Sequence, residues 1–318
     1  MKAVQSSILI FLLLSLLSMT AFAANDGLPS ASSVIGNNIQ SIIALEGTEV
    51  ASSSHLRSTK NDQNTVVDVT RLNFTFDVPS PQLSLFEDVQ LKADLTAAYL
   101  KMDTQYLGED FNALEKNKNY LISAGLRAYK ELNNGFYLTL GTKAFFAQTQ
   151  NKMDFGKDTA SQEFFADLNN LYINTTIQSL TLQADANLGW RKNFGDSGQY
   201  GVFAQSDLAP LISKSVGVEN DSQNFTKLSG IFATKVGVEY TSPWMIEGKP
   251  IAFIASYKRS EYLGSITPLD SGYLNQYSIE AFRLKNRNFQ FLDGIGLKLD
   301  YLDNGVYTGY ALGAKLYF

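Results

Sequence analysis

The stretch LTLQADANLGWR, residues 180–191, sets Leu180, Leu182, Ala184, Ala186, Leu188 and Trp190 against Thr181, Gln183, Asp185, Asn187, Gly189 and Arg191. Strict alternation belongs to a β-strand, because successive side chains there point to opposite faces. Two further segments keep the same period. From Val89 the apolar or small residues are Val89, Leu91, Ala93, Leu95, Ala97 and Tyr99, interleaved with Gln90, Lys92, Asp94 and Thr96. At the C-terminus Tyr310, Leu312, Ala314, Leu316 and Phe318 alternate with Gly309, Ala311, Gly313, Lys315 and Tyr317.

Length decides which environment such strands suit. Strands of soluble sheets cluster near five or six residues, whereas tilted strands crossing a bilayer need about 9–11. The alternating segments reach the longer range, which favours a transmembrane barrel with one face to lipid and one to the lumen. The 318 residues have a mean hydropathy of −0.09, which resembles a soluble protein. Averaging an apolar parity with a polar one produces that value, so hydropathy does not detect this class.

Period-two patterning predicts strands at about 66–78, 87–102, 119–131, 136–148, 165–177, 180–192, 227–240, 250–259, 275–285, 288–301 and 305–318. Bacterial single-chain barrels normally have an even number of strands. Connections before 87, 136, 180, 250 and 288 are short, and those at 103–118, 149–164, 193–226 and 260–274 are long. Short periplasmic turns and long external loops should alternate. With a periplasmic C-terminus, that alternation requires one more strand at the start, for which IQSIIALEGTEV at 39–50 is the candidate. The expected fold is therefore all-β, a transmembrane antiparallel up-and-down β-barrel of about 12 strands. Ile35, Ile39 and Ile42 also suit a helical period, so a short N-terminal helix or plug near 30–38 stays open as an alternative. Asn133, Asn134 and Gly135 predict one tight hairpin, and Asp303, Asn304 and Gly305 another, on the external side.

Residues 1–24, MKAVQSSILIFLLLSLLSMTAFAA, combine Lys2, a short apolar run and the pair Ala21 and Ala23. That pattern predicts a secretory signal peptide over 1–23, cleaved after Ala23. The domain expectation is then signal peptide 1–23, a short N-terminal segment 24–38, and a barrel domain 39–318. Composition excludes other classes. With no cysteine there is no disulfide or thiolate chemistry, and 26 Lys+Arg against 31 Asp+Glu lack the basic excess of a nucleic-acid binder. The patterning points to no cofactor and no metal.

The polar parity carries the candidate lumen-lining residues Lys92, Asp94, Arg127, Lys143, Asp185, Arg191, Lys235, Glu239, Lys258, Lys298 and Asp300. Aromatic residues near strand ends, among them Tyr99, Trp190, Tyr240, Tyr257, Tyr277 and Tyr301, fit interfacial girdles. The terminal sequence YALGAKLYF places Phe318 last, Leu316 two positions before it and Gly313 five before it. This resembles the signature by which the barrel-assembly machinery recognises its substrates, with Ala311 standing where that signature usually has a polar residue. The chain as a whole resembles the translocator domain of autotransporters, in particular the solitary outer-membrane autotransporter-like barrels without a passenger.

The resemblance implies a Gram-negative outer-membrane location with periplasmic termini. It also implies contact with outer-membrane lipids and lipopolysaccharide, and with the assembly machinery and periplasmic chaperones during biogenesis. A monomer is expected. For function it implies a stand-alone surface or translocator-like protein; a porin-like small-solute channel is the alternative, motivated by the mixed lumen charges. An outer-membrane hydrolase is the remote one. It would need His55, the single histidine, which falls in a predicted Ser-rich external loop with no acidic or serine motif beside it. No enzymatic activity is expected.

Overall fold

The computed structural model describes residues 51–58, 63–78, 89–107, 112–154, 174–195, 199–218, 223–246, 248–264, 271–284 and 294–317. Within them run twelve strands: β1 Ala51–Ser58, β2 Gln63–Val78, β3 Val89–Leu107, β4 Asn112–Glu131, β5 Phe136–Asp154, β6 Thr176–Phe194, β7 Tyr200–Val216, β8 Thr226–Ile246, β9 Lys249–Gly264, β10 Tyr273–Leu284, β11 Gly294–Asp303 and β12 Tyr307–Tyr317. Each pairs antiparallel with its neighbours, and β1 pairs with β12, so the sheet closes. Closure leaves no open edge, which is what a bilayer demands of a β-structure.

The strands are inclined to the barrel axis. A row of in-register residues leaves Leu56 near the end of β1 and passes through Gly309, Leu302, Gln276, Lys258, Lys235, Gln205, Gly189 and Tyr137. It ends at Glu131, the last residue of β4, at the other rim. The barrel thus has a terminal rim, where β1 begins and β12 ends, and an opposite rim.

One parity of each strand faces outward, and on β2–β12 its middle stretch is largely apolar. Leu72, Leu95, Ile122, Leu126, Leu182, Leu188, Val238, Ile279, Leu297 and Leu312 are all exposed there. A continuous apolar surface of this extent marks contact with lipid. Aromatic rows border it. Toward the opposite rim Tyr99 meets Tyr120 with centroids 5.2 Å apart, and Tyr257, Tyr277, Tyr301 and Tyr310 form a ladder at 5.1, 6.1 and 5.4 Å. Toward the terminal rim Phe136 lies opposite Trp190, and Tyr200 stacks on Tyr240 at 5.3 Å.

The tight turns follow local chemistry. Asn134 and Gly135 both have positive φ, +63° and +79°, as a type I′ hairpin requires. At the β11–β12 turn Asp303 Oδ1 accepts from the Gly305 N–H, and Asn304 Oδ1 accepts from the N–H groups of Val306 and Tyr307. Near the terminal rim the β8–β9 ladder shifts register between Thr241 and Met245. Pro243 lies in that bulge, where its missing N–H costs no ladder bond.

Twelve strands are present, but the sequence expectation reached that number by a different partition. The expected first strand, 39–50, lies outside the described residues; the strand that pairs with β12 is 51–58, expected to be external loop. The short turn expected at 178–179 falls inside β6, where Gln178 pairs with Gln148. No separate strand ends at 177, and 165–173 lie outside the described residues. Residues 200–216, expected as part of a long loop, form β7. Pro210 sits in the middle of that strand, and Ala204, Leu208, Ala209 and Leu211 blur its alternation. Opposite Pro210 the β6–β7 ladder skips Ala184 and Asp185. Much of the expected loop 103–118 is likewise strand, so the contrast between long and short connections is weaker than expected.

Candidate functional site

The inward parity is layered along the axis. On nearly every strand, stepping from the opposite rim toward the terminal rim passes from an apolar side chain to polar or charged ones. β2 runs from Val67 and Val69 to Arg71 and Asn73; β3 from Leu100 through Thr96 to Asp94 and Lys92; β5 from Phe145 to Lys143; β7 from Leu211 to Asp207 and Gln205; β11 from Leu302 to Asp300 and Lys298. The apolar positions form one packed cluster in which Leu56 and Val67 are 0% exposed, and Phe145, Ile177 and Leu211 1%. Beyond it, toward the opposite rim, the inward side chains are mostly uncharged polar groups, Thr65, Thr104, Asn117, Asn119, Thr149 and Asn151, with Thr149 Oγ1 donating to Asn119 Oδ1 at 2.6 Å; Glu115 Oε1 accepts there from Asn117 Nδ2 at 3.0 Å and from Asn151 Nδ2 at 2.6 Å. An apolar collar therefore separates a polar mouth from a charged belt.

All eleven ionisable residues singled out from the sequence lie on the inward parity, and the registers sort them into two walls. On one wall Asp94 accepts from Arg127 Nε and, at 2.6 Å, from Arg127 Nη2, and Thr75 Oγ1 donates to it at 2.7 Å. Lys92 lies 3.7 Å from Asp77, and Lys143 sits over the Phe145 ring at 5.4 Å. Asp185 lies against Gly141, where a Cβ would come within 2.6 Å of its Oδ2. Arg191 Nη2 pairs with Glu239 Oε2 at 2.7 Å, and Asn187 donates to Asp207.

The other wall is richer in cations. Lys235 and Lys258 are directly opposite each other on β8 and β9. Lys298 pairs with Asp300 at 3.0 Å, and Lys315 with Glu280 at 2.8 Å. Both carboxylates are buried; Glu280 Oε1 and Asp300 Oδ1 have no hydrogen-bond partner among the described residues. Sequence reading passed over Arg71, Asp207, Glu280 and Lys315, which share the inward parity of the belt. Their strand parity was the signal available for them.

The remaining candidates are placed as follows. Gly313 is buried on the lumen face between Ser52 and Lys298, and Leu316 pairs with Ile295. Ala23 and Phe318 lie outside the described residues. His55 is corrected from loop to strand: it faces outward on β1, where its Nδ1 bonds Asp68 Oδ1 at 2.6 Å. Among the described residues no cluster of His, Asp and Glu has the geometry of a metal site.

A closed sheet of twelve antiparallel strands, with an apolar outer surface between aromatic rows and a charged interior, defines an outer-membrane β-barrel. The chain belongs to the family of the solitary outer membrane autotransporter beta-barrel domain, whose model matches residues 46–311. Among solved structures it resembles the transport unit of the autotransporter AIDA-I from Escherichia coli at TM-score 0.55 and 13% identity, covering 92% of this chain and 100% of that one. It also resembles the beta domain of the Bordetella autotransporter BrkA at TM-score 0.51 and 9% identity, over 84% and 97%. The translocator domain of NalP from Neisseria meningitidis has TM-score 0.50 and 12% identity, over 91% and 98%. At these identities the likeness is one of fold. No curated protein matches the chain in sequence.

Proposed function

We propose that the protein acts as a stand-alone, translocator-like surface barrel whose lumen is sealed at rest by the apolar collar. The supporting observation is the packing of Leu56, Val67, Leu100, Leu121, Phe145, Ile177 and Leu211 into one buried cluster across the lumen face. Apolar constrictions block ions by excluding water, and each buried side chain adds about 1.5–3 kcal/mol of transfer free energy against wetting. In planar bilayers the wild-type protein is expected to show no steady conductance. Phe145→Asp, which puts a charge into the collar, is expected to raise it. A large, constant wild-type conductance would sink this reading and support the alternative, a small-solute channel, for which the lysine-rich wall predicts anion preference.

In this reading the terminal rim faces the periplasm, so the β12 end is available to the assembly machinery. Gly313, Leu316 and Phe318 form the assembly signal, and the barrel edge meets the insertase by β-augmentation. Deleting Phe318 is expected to lower the amount of folded protein in the outer membrane severalfold without changing synthesis, measured by membrane fractionation and heat-modifiable mobility. Equal folded yield would remove the role assigned to Phe318.

A further inference from the structure

The outward face of β2–β5 changes character just beyond the Tyr99–Tyr120 pair. Below it are Leu95, Ile122 and Phe146, exposed and apolar. Above it, one in-register row reads Asp68, Lys101, Lys118 and Gln150, and the next reads Asp103, Lys116 and Lys152. Lys101 therefore stands directly opposite Lys118, and Lys116 opposite Lys152. Like charges directly opposite on one face of a sheet destabilise it, so two such pairs side by side call for a counter-charge.

The carboxylates among the described residues do not supply enough of it. Asp68 is held by His55, Asp103 by Lys101 at 2.5 Å, and Asp154 approaches Lys116 at 3.9 Å. Arg57 Nε donates to His55 Nε2 at 3.3 Å, and His55 Nδ1 lies 2.6 Å from Asp68 Oδ1. Lys118 and Lys152 are exposed, and no carboxylate among the described residues lies within ion-pair distance of either. The strip thus combines Arg57, Lys101, Lys116, Lys118 and Lys152 with three carboxylates, a net excess of cations.

Depth selects the occupant. Tyrosine rings of an outer-membrane barrel sit at the headgroup level, so side chains one and two rows beyond them reach the phosphate zone. Opposed Cβ atoms are about 4.5–5.5 Å apart, which lets two lysine ammonium groups converge on one phosphate. We infer that the Lys101–Lys118 and Lys116–Lys152 pairs form a docking strip for the phosphate groups of a phosphorylated glycolipid in the leaflet at the opposite rim. The lipid's acyl chains lie along Leu95 and Ile122.

The test uses the full-length barrel in detergent, titrated with bis-phosphorylated lipid A and followed by native mass spectrometry. Wild type is expected to retain the lipid, and Lys118→Gln/Lys152→Gln to bind about tenfold more weakly or worse. Lys118→Arg/Lys152→Arg is expected to keep the affinity, and Lys192→Gln, beside the terminal-rim aromatics, to change nothing. Dephosphorylated lipid A should bind wild type as weakly as intact lipid binds the double glutamine variant. Equal retention by wild type and that variant, or indifference to the phosphates, overturns the inference. Displacement of the lipid by millimolar inorganic phosphate also overturns it, since the strip would then be a simple ion site. Unchanged heat-modifiable mobility of each variant establishes that binding and not folding is being read.

Discussion

Gly309→Ala is expected to prevent closure of the barrel. A Cβ at this position would overlap the carbonyl oxygen of His55 and lie 2.7 Å from Leu56 Cα and 2.8 Å from the His55 carbonyl carbon. These are backbone atoms of the partner strand, so no side-chain rotation relieves the overlap. Nor can the seam slide, because a one-residue slip would turn the lumen face of β1 outward. The seam itself is short: Ala51–Ser58 supplies eight residues, against 19 in β3 and 20 in β4. Overpacking of this kind costs about 1–3 kcal/mol where neighbours can give, and more where they cannot. The expected observation is loss of the heat-modifiable folded band, or a fall in stability of at least about 3 kcal/mol in refolding into vesicles. Gly248→Ala is the control. Its φ is +74° but nothing lies within 4 Å of the added atom, so only the local strain of about 1–2 kcal/mol is expected. If Gly309→Ala is no worse than Gly248→Ala, the close approach at the seam is not what requires glycine.

Lys298→Met is expected to be the most damaging change in the charged belt. Lys298 and Asp300 are both 7% exposed at their side chains and 3.0 Å apart. Lys298 also lies opposite Glu280, which is buried as well. Removing one partner of a buried pair leaves an uncompensated charge, a loss of about 3–5 kcal/mol. Since Asp300 Oδ1 already lacks a hydrogen-bond partner among the described residues, little in the described surroundings can take over. Lys298→Met/Asp300→Asn is expected to recover much of the loss, because it removes both charges together. Urea titrations of the two variants in lipid vesicles check this. Equal stability of the single and double variants would show that the pair is not the source.

The barrel class was legible because its cause is repetitive: two environments, lipid and lumen, impose period two on strand after strand, and β3, β6 and β12 display it plainly. Strand identity failed where one of those environments is mixed. β7 carries Pro210 outward and Ala209 and Leu211 inward, so neither parity is cleanly polar. β1, with Ser52, Ser53, Ser54 and Arg57, is too polar on both faces to stand out, and its partners, not its composition, make it a strand. The charged belt was visible as a parity, residue by residue. Its division into a mixed wall and a lysine-rich wall was not, since that depends on the stagger of β8–β12. The apolar collar was hidden for a related reason: Val67, Leu100 and Phe145 occupy the parity expected to be polar, and read singly they look like breaks in the pattern.

Eleven of the twelve strand pairings join elements adjacent in sequence, and only β1 with β12 joins the two ends of the domain. Contact order is therefore low for all but one ladder. Hairpins such as β4–β5, joined at 132–135, can zip locally, whereas the last pairing must first meet the loop-closure entropy of the whole intervening chain. The rate of appearance of native barrel should then be governed by a single late event with a ladder of only eight residue pairs as its reward. Until that event, β12 presents unpaired N–H and C=O groups in an apolar medium, and the time spent in that state sets how long the chain needs an escort.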